Sequence, residues 1–448
     1  MRATLFLLVA GAVAALLLTR AEPFAPRVVL DPPVEVIGRA TPLHLVVRDR
    51  GTGLARVEVR LIGADGTAAA VATETYPRRS WFGSGVHEAV LDPIVDAGAA
   101  RVPEGRATLE VRAVDHSWLG FLHRGPRLVR SVAVDSTPPT LELASQQHRV
   151  RVGGSECAVY RVGPDAVAHG VQVGRDFYPG TAGLFADGAL RAALFAVAED
   201  LPDAQPAIVA TDAAGNRRQV AMGAVVQRRR FAEKTLVLAP DFLARKVPEL
   251  LAANALEANG DLVAGYLRIN RDLRAATEAR VRTLCRESAP VRLWEGAFLR
   301  MPRSAPLSGF ADRRTYVYDG KTIDHQTHLG FDLASTRGDV VPAGNTGRVV
   351  FAGPLGIYGN AVVLDHGLGL FSLYGHLSTI DVATGANVRR GDPIGRTGDT
   401  GLAGGDHLHF SVMIRGVHVD PTEWWDAHWI HDHVEARLDA FPRAGGGS

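Results

Sequence analysis

Cysteine is nearly absent: Cys157 and Cys285 are the two in 448 residues. So few, so far apart, exclude a disulfide-stapled scaffold and any cysteine-based metal cluster, and both are expected to be packed rather than paired or reactive. An excess of charge is also missing, because 49 lysines and arginines face 48 aspartates and glutamates. That balance removes the electrostatic argument for a nucleic-acid partner. A long apolar run occurs only at the start, over residues 3–19, between Arg2 and Arg20. It has the layout of an export signal or a short membrane anchor, so the rest of the chain is expected outside the cytoplasm. Thr19-Arg20-Ala21 satisfies a small-x-small cleavage rule, but the run is longer than a typical signal core, and anchoring is the reading preferred for residues 1–21.

What is present divides into segments of different periodicity. Alternating stretches such as LHLVVRD (43–49), ARVEVRLIG (55–63) and ATLEVRAVD (107–115) predict strands separated by turn residues, as in a β-sandwich over 27–136. VDSTPPTLEL (134–143) reads as a stiff joint leading into a second β module, 137–230. The ATDAAGN segment that closes this module resembles the last hairpin of bacterial immunoglobulin-like domains, and RAVDHSWLG (112–120) is a looser version in the first. Residues 240–288 change to Ala, Leu, Glu and Arg at helical spacing, predicting two or three helices interrupted at Pro248 and Gly260, with Asp241 and Asp261 at helix starts. This segment is either a linker packed on its neighbours or a plug over the active site.

From Val291 glycines crowd between short Val/Ile/Leu strands, predicting a compact all-β domain over 291–435 closed by a helix in TEWWDAHWIHDHVEARL. The expected fold is therefore multidomain and mainly β: two β-sandwich, immunoglobulin-like modules, a short helical segment, and the C-terminal all-β domain.

Three pieces of that last domain carry chemistry. In HLHF, His407 and His409 lie two apart, so a strand would project both imidazoles to one face, about 6–7 Å apart at the backbone. In HLGFD, His328 and Asp332 would lie about 13 Å apart on a straight strand and can share one ion only if the chain bends, which Gly330 makes easy. In LYGHLS, His376 again follows a glycine. Two histidines, one carboxylate and an open fourth position suit a catalytic zinc, and zinc suits amide hydrolysis. Other candidates are weaker. VHEAVL (86–91) lacks the second histidine of HExxH and sits among strands. The DHG around His366 reads as a turn, with a structural role for that histidine, and His428, His431 and His433 read as surface residues of a helix.

The motifs HLGFDLAS, GDVVPAGNTGRVVFAG, GIYGNAVVLDHG, LYGHLS, VRRGDPIGRTGDTGLAGGDHLHFSV and HVDP occur in an order that resembles the lysostaphin-type (LytM-like) zinc peptidases of bacterial cell-wall metabolism. The resemblance implies one Zn2+ per chain held by His328, Asp332 and His409, with His376 and His407 as unligated catalytic histidines. It implies a peptidoglycan endopeptidase, D,D-endopeptidase by its likeness to periplasmic Gram-negative members, acting on stem peptides. Some such relatives have lost ligands and only activate other wall hydrolases; here all five positions are filled. The implied setting is the periplasm, with the N-terminal segment at the inner membrane and the β modules available to an envelope protein.

Overall fold

The computed structural model describes Gly11 and residues 24–78, 85–119, 125–257 and 261–444. The expected leader or anchor over 1–21, Gly11 apart, and the expected break at Gly260 lie outside the described residues. Among the described residues no helix is long and apolar enough to cross a membrane.

Strands dominate, and the chain divides into two compact units. In the first, Val36–Ile37, Leu128–Val134, Gly105–Asp115, Leu54–Gly63 and Ala68–Thr75 form a five-stranded sheet in that order. Arg27–Leu30, Leu45–Arg48 and Glu88–Leu91 form a three-stranded one. The period-2 pattern of LARVEVRLIG and of residues 105–115 is the burial pattern observed, and Val57, Val59, Leu61, Leu109 and Val111 meet Leu45 and Val47 in one core. The HExxH-like stretch ends in the strand Glu88–Leu91, as its surroundings predict.

The second unit joins Thr140–Gly163 and His169–Val209 to everything from Gln219 on. Within it the expected second β module and the C-terminal domain are tied together: Ser155 N–H donates to Glu423 Oε2 at 2.9 Å, Trp424 Nε1 donates to Ser155 Oγ at 3.1 Å, and Arg437 pairs with buried Glu156. The C-terminal sheet runs Ala305–Ser308, Phe331–Ala334, Leu408–Ile414, Leu370–Leu377, Asn360–Gly367, Gly347–Pro354, Asn387–Val388, with Val417–Val419 also on Leu408–Ile414.

Helices α1 (Pro240–Ala253), α2 (Leu262–Arg268) and α3 (Arg274–Leu284) cover one face of this sheet. Leu243, Val247, Leu250, Leu251, Tyr266 and Ile269 share a core with Ala361, Val363, Phe371, Leu373 and Met413. Asp261 caps α2 as expected, accepting from Ala264 N–H at 2.9 Å. Pro248 departs from expectation: α1 runs through it without a break. An interior proline costs a helix roughly 3 kcal/mol, but four buried apolar side chains of α1, Leu243 and Val247 before it and Leu250 and Leu251 after it, hold the helix in place. α2 passes into α3 through one wide turn, Ile269–Leu273. The C-terminal helix is broken once, after Pro421–Trp425, because Asp426 caps a new start by accepting from His428 N–H; from Ala427–Ile430 it runs on through one wide turn, His431–Glu435, into Ala436–Asp439.

Candidate metal centre

The central strand Leu408–Ile414 lies between Phe331–Ala334 and Leu370–Leu377, and register alone brings the three sequence pieces together. Asp332 is paired directly with His409, and Gly375, next to His376, pairs with His409 from the other side. His328 enters from the bend at 328–330 that precedes Phe331. The bend at Gly330 is as expected, but glycine is required there for a different reason. Its φ is not in the left-handed region; instead a Cβ would collide with the His409 imidazole and with Ser411 Oγ.

His328 Nε2 and His409 Nδ1 each lie 3.0 Å from Asp332 Oδ1 and 3.1 Å from one another. All three side chains are buried. Their donor atoms converge tightly enough to hold a metal ion, and among the described residues no other group of three His, Cys, Asp or Glu does so. The hydrogen bonds behind the cluster set its tautomers. His328 Nδ1–H donates to the Gly309 carbonyl at 2.8 Å, which leaves Nε2 as a lone pair. Ser411 Oγ–H donates to the Leu329 carbonyl, so Ser411 accepts from His409 Nε2–H at 3.0 Å and Nδ1 carries the lone pair. Two lone pairs and a carboxylate thus face one point with no proton between them, a donor set suited to a divalent cation. Burial pushes His409 down to about 4 despite Asp332, and Asp332 itself, though burial opposes it, is held well below the usual carboxylate range by His328 and its other histidine neighbours.

The other two sequence-predicted histidines flank the cluster. His376 Nδ1–H donates to the Thr400 carbonyl and His407 Nδ1–H to the Gly405 carbonyl, each at 2.8 Å, so both have Nε2 free of the backbone. Their rings stand 4.9 Å apart, and His407 Nε2 lies 3.5 Å from Asp332 Oδ1. Burial lowers His376 well below an ordinary histidine, whereas for His407 the bond to Asp332 outweighs burial and raises it. His376 also holds φ at 64°, a left-handed conformation that a non-glycine residue adopts at a cost of order 1–3 kcal/mol and that clusters at functional sites.

The remaining histidines stay apart from the cluster. His366 lies in the strand Asn360–Gly367 rather than in a turn, because its neighbours continue the ladder to residue 367. It is nonetheless structural: Nδ1 meets the Thr346 carbonyl, Nε2 meets Ser372 Oγ, and burial pushes it down to about 4. His428 pairs with Asp432 on an exposed turn, and His433 stacks on Trp429. Both cysteines are buried and free, with burial pushing the Cys157 thiol up to about 12.

Several side chains around the cluster carried no sequence signal. Arg314 Nη2 donates to Asp332 Oδ2 at 3.0 Å. The Tyr358 ring lies 5.0 Å from the His409 ring, and its hydroxyl donates to Glu278 of α3 at 2.7 Å. Lys246 of α1 donates to the Asp399 carbonyl, next to the residue that fixes His376. A cavity of about 420 Å³ opens on the cluster, lined by Leu238, Phe242, Tyr266 and Arg274 from the helical segment and the strand end before it, and by Leu402 and Ala403. The helical segment is part of the site's wall.

Residues 326–421 match the model of peptidase family M23. The chain is 45% identical over 95 residues to "DD-carboxypeptidase/endopeptidase Mpg" of Neisseria meningitidis, covering 21% of this chain and 22% of that protein. It is 38% identical over 95 residues to "Murein hydrolase activator EnvC" of Escherichia coli, covering 21% of this chain and 23% of that one. The chain therefore spans less than a quarter of the length of these curated relatives. Among solved structures, the catalytic domain of lysostaphin from Staphylococcus simulans is 28% identical with a TM-score of 0.23, covering 27% of this chain and 92% of that one.

Proposed function

We propose, from the premise that the C-terminal part of this chain is a peptidase family M23 domain, that the protein is a zinc-dependent endopeptidase hydrolysing peptide cross-links of bacterial peptidoglycan, with D,D-endopeptidase specificity. The observation that carries the reading is the convergence of two imidazole lone pairs and one carboxylate, flanked by two further histidines tied by Nδ1 to backbone carbonyls. His328, Asp332 and His409 are the ligands, and His376 and His407 the unligated catalytic pair. Zinc held there supplies polarisation of the amide carbonyl and acidification of water. The chain's own histidines do the proton work: Nε2 of His376 or His407 takes the proton of the attacking water and passes one to the leaving amine. The same groups, when protonated, stabilise the developing oxyanion.

A second reading is an activator of another wall hydrolase that keeps the metal for its fold, favoured by the likeness to a protein named as such. The five filled positions support the catalytic reading over it. The setting that fits is the periplasm, with residues 1–21 at the inner membrane and the β modules as spacers or docking sites for an envelope protein. Purified sacculi digested with the zinc-loaded protein decide between the two: loss of cross-linked muropeptide dimers is expected. Dimers that persist, while a known hydrolase removes them, overturn the enzyme reading.

A further inference from the structure

The cavity over the metal cluster is unevenly charged. Among its lining residues Asp332 is the single carboxylate, whereas two guanidiniums, Arg274 of α3 and Arg314 of the strand Arg313–Tyr318, line it. Arg314 spends one nitrogen on Asp332 Oδ2, and its Nε is buried without a partner. Arg274 is turned by Asn270, which accepts from its Nε at 3.2 Å and its Nη2 at 2.8 Å. Burial pushes the Tyr266 phenol up, and both guanidiniums pull against it, so the two charges bear on one ring of the wall. A divalent ion on the cluster adds to the positive field, and a cleft with one sign of charge between low-dielectric walls concentrates the opposite sign.

We propose that Arg274 and Arg314 form a carboxylate-recognition subsite beside the cluster, so that the preferred substrate is a peptide with a free carboxylate next to the scissile amide. The inference rests on the endopeptidase reading and specifies its substrate. The placement follows from Arg314, whose guanidinium is in hydrogen-bond contact with the ligand Asp332, so a carboxylate it holds lies beside the cluster. A planar guanidinium binds a carboxylate through two parallel charge-assisted bonds, which a neutral amide cannot reproduce. In a D,D cross-link the residue donating the leaving amine carries such a carboxylate on the same carbon. The apolar wall of Leu402 and Ala403 suits an alanyl methyl on the acyl side.

The test uses the full-length, zinc-loaded protein and two synthetic cross-linked peptides, identical except that the carboxylate beside the scissile amide is free in one and a primary amide in the other. The free acid is expected to have kcat/KM at least about tenfold higher, and Arg274→Gln, which touches no ligand, is expected to bring the ratio towards one while Arg274→Lys retains part of it. Equal rates on the two peptides, or an unchanged ratio in Arg274→Gln, overturn the subsite. If neither peptide is cut although zinc is bound, the endopeptidase reading fails. Calorimetric binding of the same two peptides then decides the subsite: tighter binding of the acid, lost in Arg274→Gln, supports it, and equal affinities overturn it.

Discussion

Tyr358 donates its hydroxyl to Glu278 across 2.7 Å while its ring backs His409, so a helix outside the sheet supports a side chain of the candidate metal centre. Glu278 is shared: its other oxygen pairs with His418 Nε2 at 2.9 Å. The carboxylate orients Tyr358, and Tyr358 limits the tilt of the His409 ring, the kind of support behind a ligand that tunes metal affinity.

Replacing Glu278 with leucine is expected to leave a buried hydroxyl and a buried imidazole without partners. Stability should fall by about 1–3 kcal/mol in urea unfolding, and zinc affinity by about tenfold or more in competition with a chelator. Unchanged zinc affinity with lowered stability would confine Glu278 to a role in packing.

Ligands and flanking histidines are expected to separate by metal content. Asp332→Ala leaves two protein ligands and should lose zinc and turnover together. His407→Ala should keep close to one zinc per chain and lose at least about a hundredfold in kcat, as for removal of a general acid–base group. Metal analysis by mass spectrometry beside the peptide assay checks both, and stoichiometric zinc in Asp332→Ala would refute the ligand assignment.

The contact between the second β module and the C-terminal domain is expected to weaken as pH rises from about 4.5 to about 8. Burial pushes the Glu423 carboxyl up to about 8, with the Asp420 charge adding to it against the hydrogen bond from Ser155. The folded state then holds a proton that the unfolded chain releases above the ordinary value of 4.5. The stabilisation is fully present below that value and is lost as pH rises through about 8. Thermal unfolding across that window should show the melting temperature of Glu423→Gln falling less steeply than that of the wild type.

A fragment beginning at Val291 is expected to be worse folded than the full chain, not a freed enzyme. Removing residues 240–284 strips Leu243, Val247, Leu250 and Tyr266 from the sheet face of Val363, Phe371 and Leu373, each side chain worth about 1.5–3 kcal/mol of burial. Aggregation or binding of a hydrophobic dye by the fragment checks this. A soluble fragment with faster turnover than the full chain would show instead that the helices act as a removable plug.

The sequence by itself determined the pattern of strands, because period-2 alternation and turn residues are local, and residues 54–63 and 105–115 follow it closely. It also marked the side chains that meet at the cluster, since His328, Asp332, His376, His407 and His409 stand within short motifs of distinctive spacing, while strand register is what brings those motifs together. The need for glycine at 330 was legible as well, though its cause was not, because the space taken by the His409 ring depends on a strand 79 residues further on. Tertiary structure alone decided the rest. Pro248 continues a helix because four buried neighbours hold it, which propensity cannot report. Glu278, Arg274 and Arg314 carry no motif; they matter because packing of the helices and of the strand Arg313–Tyr318 delivers the two arginines to the cavity and Glu278 to the hydroxyl of Tyr358, which lines it. Local sequence encodes backbone preference and the identity of donors, whereas the partners of a donor are set by chain segments that only the folded core brings within hydrogen-bond range.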